Sequence, residues 1–213
     1  MLTHRIQILL IAALLLAPEW SSAALAESPK TFFKRTNNRI SKLLRTKAPK
    51  GSAKDKKIQE QLSQEVNAFI NFPELAKRSL HQHWDKRTPA QQEEFVNLLR
   101  DLIENNYLKQ LRKNLKYKLK VGAEKLRGAT ASVMTTVEVK KKRRVEEVTI
   151  EYRMQRVKGR WMVYDVVTDD VSIVKNYRAQ FNRIIKRNSY EHLLKKMRRK
   201  LAKAKKKDKK KDK

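Results

Sequence analysis

The spacing of apolar residues changes once in the middle of this chain and changes back once toward its end, and that double change restricts the fold more than any other feature. From Phe95 through Leu98, Leu99, Leu102, Ile103 and Leu111 the apolar positions follow the 3.6-residue repeat of a helix that buries one side. Immediately afterwards Leu115, Tyr117, Leu119 and Val121 alternate with Asn114, Lys116, Lys118 and Lys120, the period-2 pattern of a strand with one covered face. Two more alternating runs follow. Ala131, Val133, Val137 and Val139 share one face of the first, and Val148, Ile150, Tyr152 and Met154 share one face of the second. A fourth run, Trp161 to Val167, is apolar on both faces, which suits a strand inside a sheet. The helical repeat returns from about Val171 to Lys186 with Val174, Tyr177, Phe181, Ile184 and Ile185, and a last amphipathic piece carries Leu193, Leu194, Met197 and Leu201. Helices, then four consecutive strands, then helices make an α+β fold in which helices pack on one face of a curved antiparallel meander.

Local signals mark where the elements begin. Ser28 and Pro29 have the form of a helix cap and first helical residue, and predict a helix over 29–46 that carries Phe33, Ile40, Leu43 and Leu44. Pro49, Gly51 and Ser52 break the chain before a second helix with Ile58, Leu62, Val66, Phe69 and Ile70 on one face. Asn71, Phe72 and Pro73 interrupt it, and a shorter helical segment runs on to Trp84. Thr88, Pro89 and Gln91 form a capping box with proline in the first turn, so a long helix is expected from there to about residue 112. Lys140 to Arg144 is the expected tip of one hairpin, Lys158 and Gly159 that of the next. Asp169 or Asp170 is the expected cap of the helix that follows.

Residues 1–26 read as a cleaved export signal: Arg5, an apolar run from Ile8 to Ala17, and small residues around Ala24 and Ala26, with cleavage expected after Ala26. The run is about half the ~20 residues that span a bilayer. Cleavage leaves about 187 residues, enough for one ordinary domain, taken as 28–197. With no cysteine there is no disulfide, thiolate metal site, cysteine nucleophile or lipidated anchor, so a freely diffusing periplasmic or secreted protein is expected.

Charge narrows the partners. The chain holds 52 Lys and Arg against 22 Asp and Glu, a net +30. Residues 195–213 contribute 13 cations and two Asp, so the body is basic as well, and polyanions are the expected company. The Lys/Asp repetition of 198–213 reads as a disordered tail, and Lys195 to Lys213 is expected to promote encounter with anionic membranes or an acidic partner. Nucleic acid is the alternative that charge alone would raise, but the export signal and the absence of RNP, KH and zinc-knuckle strings argue against it. His81 and His83 lie one residue apart in a helical stretch, where side chains at that spacing diverge, and no carboxylate or cysteine cluster accompanies them. Asp165, Asp169 and Asp170 are close in sequence but are better read as structural, and Ser172 lacks the glycine frame of a nucleophile elbow. Four glycines in all leave no phosphate-cradling loop. Neither an enzyme, a cofactor nor a metal is expected.

Read in order, Trp161, Val163, Tyr164, Asp165, then Val171, Ser172, Ile173, Val174, Asn176, Tyr177, Arg178, Gln180 and Phe181 form W-x-V-Y-D followed by V-S-I-V-x-N-Y-R-x-Q-F. This string resembles the signature of the MlaC (toluene-tolerance auxiliary component) family. Phe72, Leu80, Trp84, Thr88, Pro89, Gln91, Phe95 and Tyr107 are similar to that family's upstream pattern, and the likeness runs from about Ser28 to Met197. Three positions depart from it: Asp170 and His81 stand where glycine is expected, and Asn71 where aspartate often precedes Phe72.

The resemblance implies an NTF2-like cone with a four-stranded sheet and flanking helices around an apolar cavity for phospholipid acyl chains. It implies a monomeric periplasmic carrier between an outer-membrane lipoprotein complex and an inner-membrane ABC transporter with an MCE-domain subunit. That traffic maintains outer-membrane lipid asymmetry, with ATP used by the transporter. A hopanoid carrier of the same family and a basic, polyanion-binding periplasmic adaptor are the alternatives. Two acyl chains represent on the order of 20 kcal/mol of hydrophobic exposure at ~0.8 kcal/mol per methylene, so the site must enclose them. The candidate lining is Phe72, Trp84, Phe95, Leu99, Tyr107, Val133, Val137, Ile150, Tyr152, Trp161, Val163 and Tyr177. Periodicity does not separate lining from filled core, because it reports which face is apolar and not what covers it.

Overall fold

The computed structural model describes residues 27–113, 117–141 and 144–209. Among the described residues, six helices and a five-stranded sheet run in the order helices, strands, helices. Helices α1 (Pro29–Arg45), α2 (Ala53–Phe69) and α3 (Phe72–Leu80), a single 3-10 turn (His81–His83) and α4 (Pro89–Lys113) precede the strands. The strands β1 (Tyr117–Arg127), β2 (Thr130–Lys141), β3 (Arg144–Val157), β4 (Arg160–Thr168) and β5 (Val171–Ser172) pair antiparallel in sequence order, and α5 (Ile173–Arg187) and α6 (Tyr190–Lys209) close the chain.

The helix starts are set by local chemistry. The Ser28 hydroxyl accepts from the Thr31 amide at 3.2 Å, and the Ser52 hydroxyl from the Asp55 amide at 3.1 Å, each relieving one of the unpaired donors of a first turn. At α4 the capping box is reciprocal, with the Thr88 amide donating to Gln91 Oε1 at 3.1 Å and the Gln91 amide to Thr88 Oγ1 at 3.3 Å. Asn71 does for α3 what the expected aspartate would do, accepting from the Glu74 amide at 3.1 Å.

Three expectations are corrected. The cap of α5 is Ser172, whose Oγ accepts from the Lys175 amide at 3.0 Å, and not Asp169 or Asp170. Those two aspartates sit at φ 48° and 62° in the two-residue turn between β4 and β5, a conformation that short Asp side chains tolerate. The strand that this turn creates, Val171–Ser172, makes the sheet five-stranded where four strands were expected. The stretch beyond residue 198, read as a disordered tail, continues α6 as far as Lys209. Lys and Ala are good helix formers, and Leu201 is still buried in that stretch.

Asp165 explains the W-x-V-Y-D…V-S spacing. Buried on β4, it accepts from the Ser172 hydroxyl at 2.7 Å and the Val174 amide at 3.1 Å, with Arg153 at 3.4 Å. It thus ties the sheet to the N-terminus of α5, where a carboxylate is favoured. At the two positions where glycine was expected the backbone has positive φ: Asp170 is at φ 62°, and His81 is at φ 49°, ψ −120°.

The core has two parts. One lies among α3, α4, α5 and α6 and contains Phe72, Leu75, Leu80, Phe95, Leu99, Val174, Phe181, Leu193 and Met197. The other lies between α1, the end of α2 and one face of the sheet: Phe32, Phe33, Phe69, Ala131, Val133, Met154, Trp161 and Val163.

Candidate functional site

The register decides which strand residues share a face. Ala131 lies opposite Met154, Val133 opposite Tyr152, Thr135 opposite Ile150 and Val137 opposite Val148, and β1 adds Leu119 beside Val137 and Val121 beside Thr135. Because side chains alternate across a strand, these residues form one continuous, mostly apolar inner face. A bulge between Val121 and Glu124 keeps β1 in phase with it, and Glu124 Oε2 accepts from the Lys30 amide at 2.8 Å, pinning the first turn of α1 to the strand. Gly122 sits at this bulge, where a Cβ would come within 3.3 Å of the Met134 carbonyl oxygen.

One end of the inner face is closed. Phe33 packs on Tyr152 with ring centres 4.6 Å apart and on Phe69 at 5.8 Å, while Phe32 stacks on Phe69 at 6.2 Å. Val133 and Met154 beneath them are fully buried. Trp161 completes the seal: its indole N–H donates to the Glu27 carbonyl at 2.9 Å, and the Arg156 guanidinium lies over its ring at 4.8 Å. Arg35 grips the carboxylate of the same Glu27 with contacts of 2.8 and 2.6 Å and holds its pKa below the usual range.

The other end is open. Leu119, Val121, Val137, Val148 and Ile150 are only partly buried, although their register places them on the same face. Above Leu119 a depression of about 520 Å³ is lined by Asn37, Asn38, Ser41, Lys42, Arg45 and Thr46 from the second half of α1 and the residue after it. Thr36, on the turn of α1 before that lining, is buried, and its hydroxyl has no hydrogen-bond partner among the described residues. A polar-rimmed opening, two of whose side chains are cationic, thus meets the apolar strand face at Leu119.

The structure places eleven of the twelve sequence candidates, some in the helical core and the others along the inner face of the sheet. Phe72, Phe95 and Leu99 are buried among the helices, with Trp84 and Tyr177 packed against them. There Phe95 meets Phe181 edge-on at 5.4 Å and Tyr177 stacks on Phe181 at 5.2 Å. Val133, Trp161 and Val163 are buried at the closed end of the inner face, with Tyr152 beside them. Val137 and Ile150 lie at its open end. Tyr107 is on α4, but its side chain falls outside the described residues.

Sequence reading missed Phe32, Phe69, Leu119, Val121 and Ile40 as neighbours of this face. The β1 alternation already placed Leu119 and Val121 on one face, and the α1 and α2 stripes already contained Ile40 and Phe69. What periodicity lacked was the pairing of that strand face with those helices.

Glu104 on α4 faces α2, where it accepts from Asn67 Nδ2 at 3.2 Å and Ser63 Oγ at 3.4 Å. Burial raises its carboxyl pKa above the ordinary value, Arg100 opposing the shift. Among the described residues there is no group of His, Cys, Asp and Glu that could hold a metal, and no helix long and apolar enough to cross a membrane. His83 is engaged instead with Asn182, its Nε2 lying 3.0 Å from Asn182 Oδ1.

Comparison with known proteins adds two findings. The MlaC protein family matches residues 34–199. A phospholipid-binding protein from Ralstonia solanacearum, whose structure was determined in complex with a phospholipid, superposes with a TM-score of 0.69 at 18% sequence identity, covering 84% of this chain and 99% of that one. At that identity the likeness is one of fold. No curated protein matches the sequence.

Proposed function

This chain belongs to the MlaC family, and from that membership together with the half-open sheet face we propose that it is a phospholipid carrier of the periplasm. The observation that carries the reading is the gradient along the inner face. Val133 and Met154 are sealed under aromatic rings at one end, while Leu119, Val137 and Ile150 stay partly uncovered at the other, where an opening of about 520 Å³ reaches the face at Leu119. Such a volume falls inside the ~300–1,000 Å³ range of ligand sites.

An apolar strand face left open to water is unfavourable by ~25 cal/mol per Å². Acyl chains laid against it recover that free energy and lose their own exposure. Lys42 and Arg45 at the rim are the charges that a headgroup phosphate meets as the tails go in. The fold relative from Ralstonia solanacearum holds a phospholipid, which supports a cargo of this class. The protein acts by binding and release, without covalent chemistry or metal. In this reading the signal is cleaved after Ala26, and the carrier exchanges lipid with an outer-membrane lipoprotein complex and an inner-membrane ABC transporter containing an MCE-domain subunit, sustaining lipid asymmetry.

Mass spectrometry of organic extracts tests the cargo, using mature protein purified from periplasm without detergent and an equally basic control protein. Phospholipid near one molecule per chain is expected. Hopanoid in its place would keep the carrier and replace the cargo. Folded protein free of lipid in repeated preparations would overturn the reading in favour of an adaptor.

A further inference from the structure

Helix α6 has two faces of opposite character, and only one of them is used by the fold. Tyr190, Leu193, Leu194, Met197 and Leu201 are buried in the helical core. Lys195, Lys196, Arg199, Lys200, Lys203 and Lys206 are all exposed. At 3.6 residues per turn these six cations fall within about 140° of arc and extend ~16 Å along the axis. Among the described residues none of the six has an acidic partner, whereas Arg198, outside that arc, is paired with Glu94 of α4. Exposed cations four residues apart on one helix repel one another, so the sequence maintains this ridge against its own electrostatics.

We propose that the outer ridge of α6 is a docking surface for an anionic phospholipid bilayer. Three features select a bilayer over an acidic protein. Five of the six cations are lysines, which act as hydrated point charges on flexible stems and suit a fluid, laterally mobile array of phosphates better than a fixed bidentate acceptor. The ridge carries no aromatic or large apolar side chain, and lysine without such anchors is the composition that protein interfaces disfavour. The apolar side of the helix is already occupied within the protein, so α6 rests on the headgroups without inserting, and contact is reversible and confined to about a Debye length of ~8 Å. This surface goes beyond the carrier reading and does not depend on the cargo, since it lies on the helical layer and shares no residue with the opening beside α1.

The test is co-sedimentation of the full mature chain with vesicles of phosphatidylcholine alone and of phosphatidylcholine mixed with phosphatidylglycerol, at low and high salt. Two variants carry equal charge loss: K195Q/K196Q/K200Q/K203Q on the ridge, and K54Q/K56Q/K57Q/K86Q, also exposed, elsewhere. Glutamine keeps helix propensity, and far-ultraviolet circular dichroism checks that α6 is intact. The unaltered chain is expected to bind only the phosphatidylglycerol vesicles and only at low salt. The ridge variant should lose at least about tenfold in partitioning, and the control variant less than about threefold. Equal losses in both variants would assign the effect to net charge and overturn the proposal. So would binding that ignores phosphatidylglycerol, or a native chain that binds neither vesicle, which would leave the ridge to an acidic protein. Lipid in organic extracts is read in parallel: its absence from all three proteins would count against the carrier reading and leave the docking result standing.

Discussion

The helical part of the core and the sheet-facing part begin from the same sequence signal, a regular stripe of apolar residues, and end differently. Among α3, α4, α5 and α6 every stripe meets another stripe, and Phe95 and Leu99 are at most 1% exposed. Over the inner face of the sheet, the residues clustered with Val133 and Met154 come from α1 and the end of α2, and Val137 and Ile150 beyond them stay partly uncovered. An apolar face closes when the fold supplies enough partner surface. Where it does not, the face stays partly uncovered, and in the proposed function that is where the lipid lies.

The sharpest way to break this contrast is to damage each region separately. Phe95→Ala opens a cavity in the sealed helical core and is expected to lower unfolding free energy by about 3–5 kcal/mol in urea titration, with lipid per folded chain unchanged. Val137→Trp should show the reverse signature: a stability change within about 2 kcal/mol, because Val137 is only partly buried, and a fall in bound lipid of more than about fivefold. If Phe95→Ala strips the lipid and Val137→Trp leaves it, the two regions have been assigned the wrong way round.

Smaller effects sharpen the account of how the helical half is held. His81 occupies φ 49°, ψ −120°, a conformation suited to glycine. His81→Gly is therefore expected to raise stability by about 1 kcal/mol, the relief of strain outweighing the added freedom of the unfolded chain. A loss instead would mean that the contacts of the imidazole outweigh its backbone strain.

Glu104 gives the smallest and most specific signal. Its pKa is raised in the folded protein, so the folded state binds more protons than the unfolded state once pH passes the ordinary carboxyl value of 4.5. Its contribution is therefore fully present below that value and is lost as pH rises through the folded-state pKa. Glu104→Gln, which can keep an acceptor toward Ser63 and Asn67, should remove this slope and gain roughly 0.5 kcal/mol at neutral pH. Thermal melts across pH 4 to 8 that run parallel for both proteins would exclude that role.

What the sequence revealed and what it hid follow from the range of each interaction. The Thr88–Gln91 box, the strand alternation and the order of elements depend on neighbours a few residues apart, and all are visible in the string. The two-residue β5 is too short to show a period, and without it Asp169 and Asp170 read as helix caps when they are hairpin-turn residues. His81 and Asp170, which stand where the resemblance expects glycine, have positive φ, a backbone that favours glycine, so the string shows the departure but not the conformation. Compositional bias suggested disorder beyond residue 198 because it counts charges and does not weigh the buried Leu201. The division of the candidates was invisible for a stronger reason: Val133 and Val137 belong to the same alternating run, and it is the placement of α1 and the end of α2 across the strands that seals one and leaves the other partly uncovered.

The most direct test of that division is position-resolved. Mature protein loaded with a phospholipid carrying a diazirine near the end of one acyl chain is irradiated, digested and sequenced by mass spectrometry. Labels on the open sheet face, at Leu119, Val137, Val148 or Ile150, with none at Phe95, Leu99 or Phe181, are the predicted result. Labels concentrated among the helical core residues, or none within the protein at all, would contradict it.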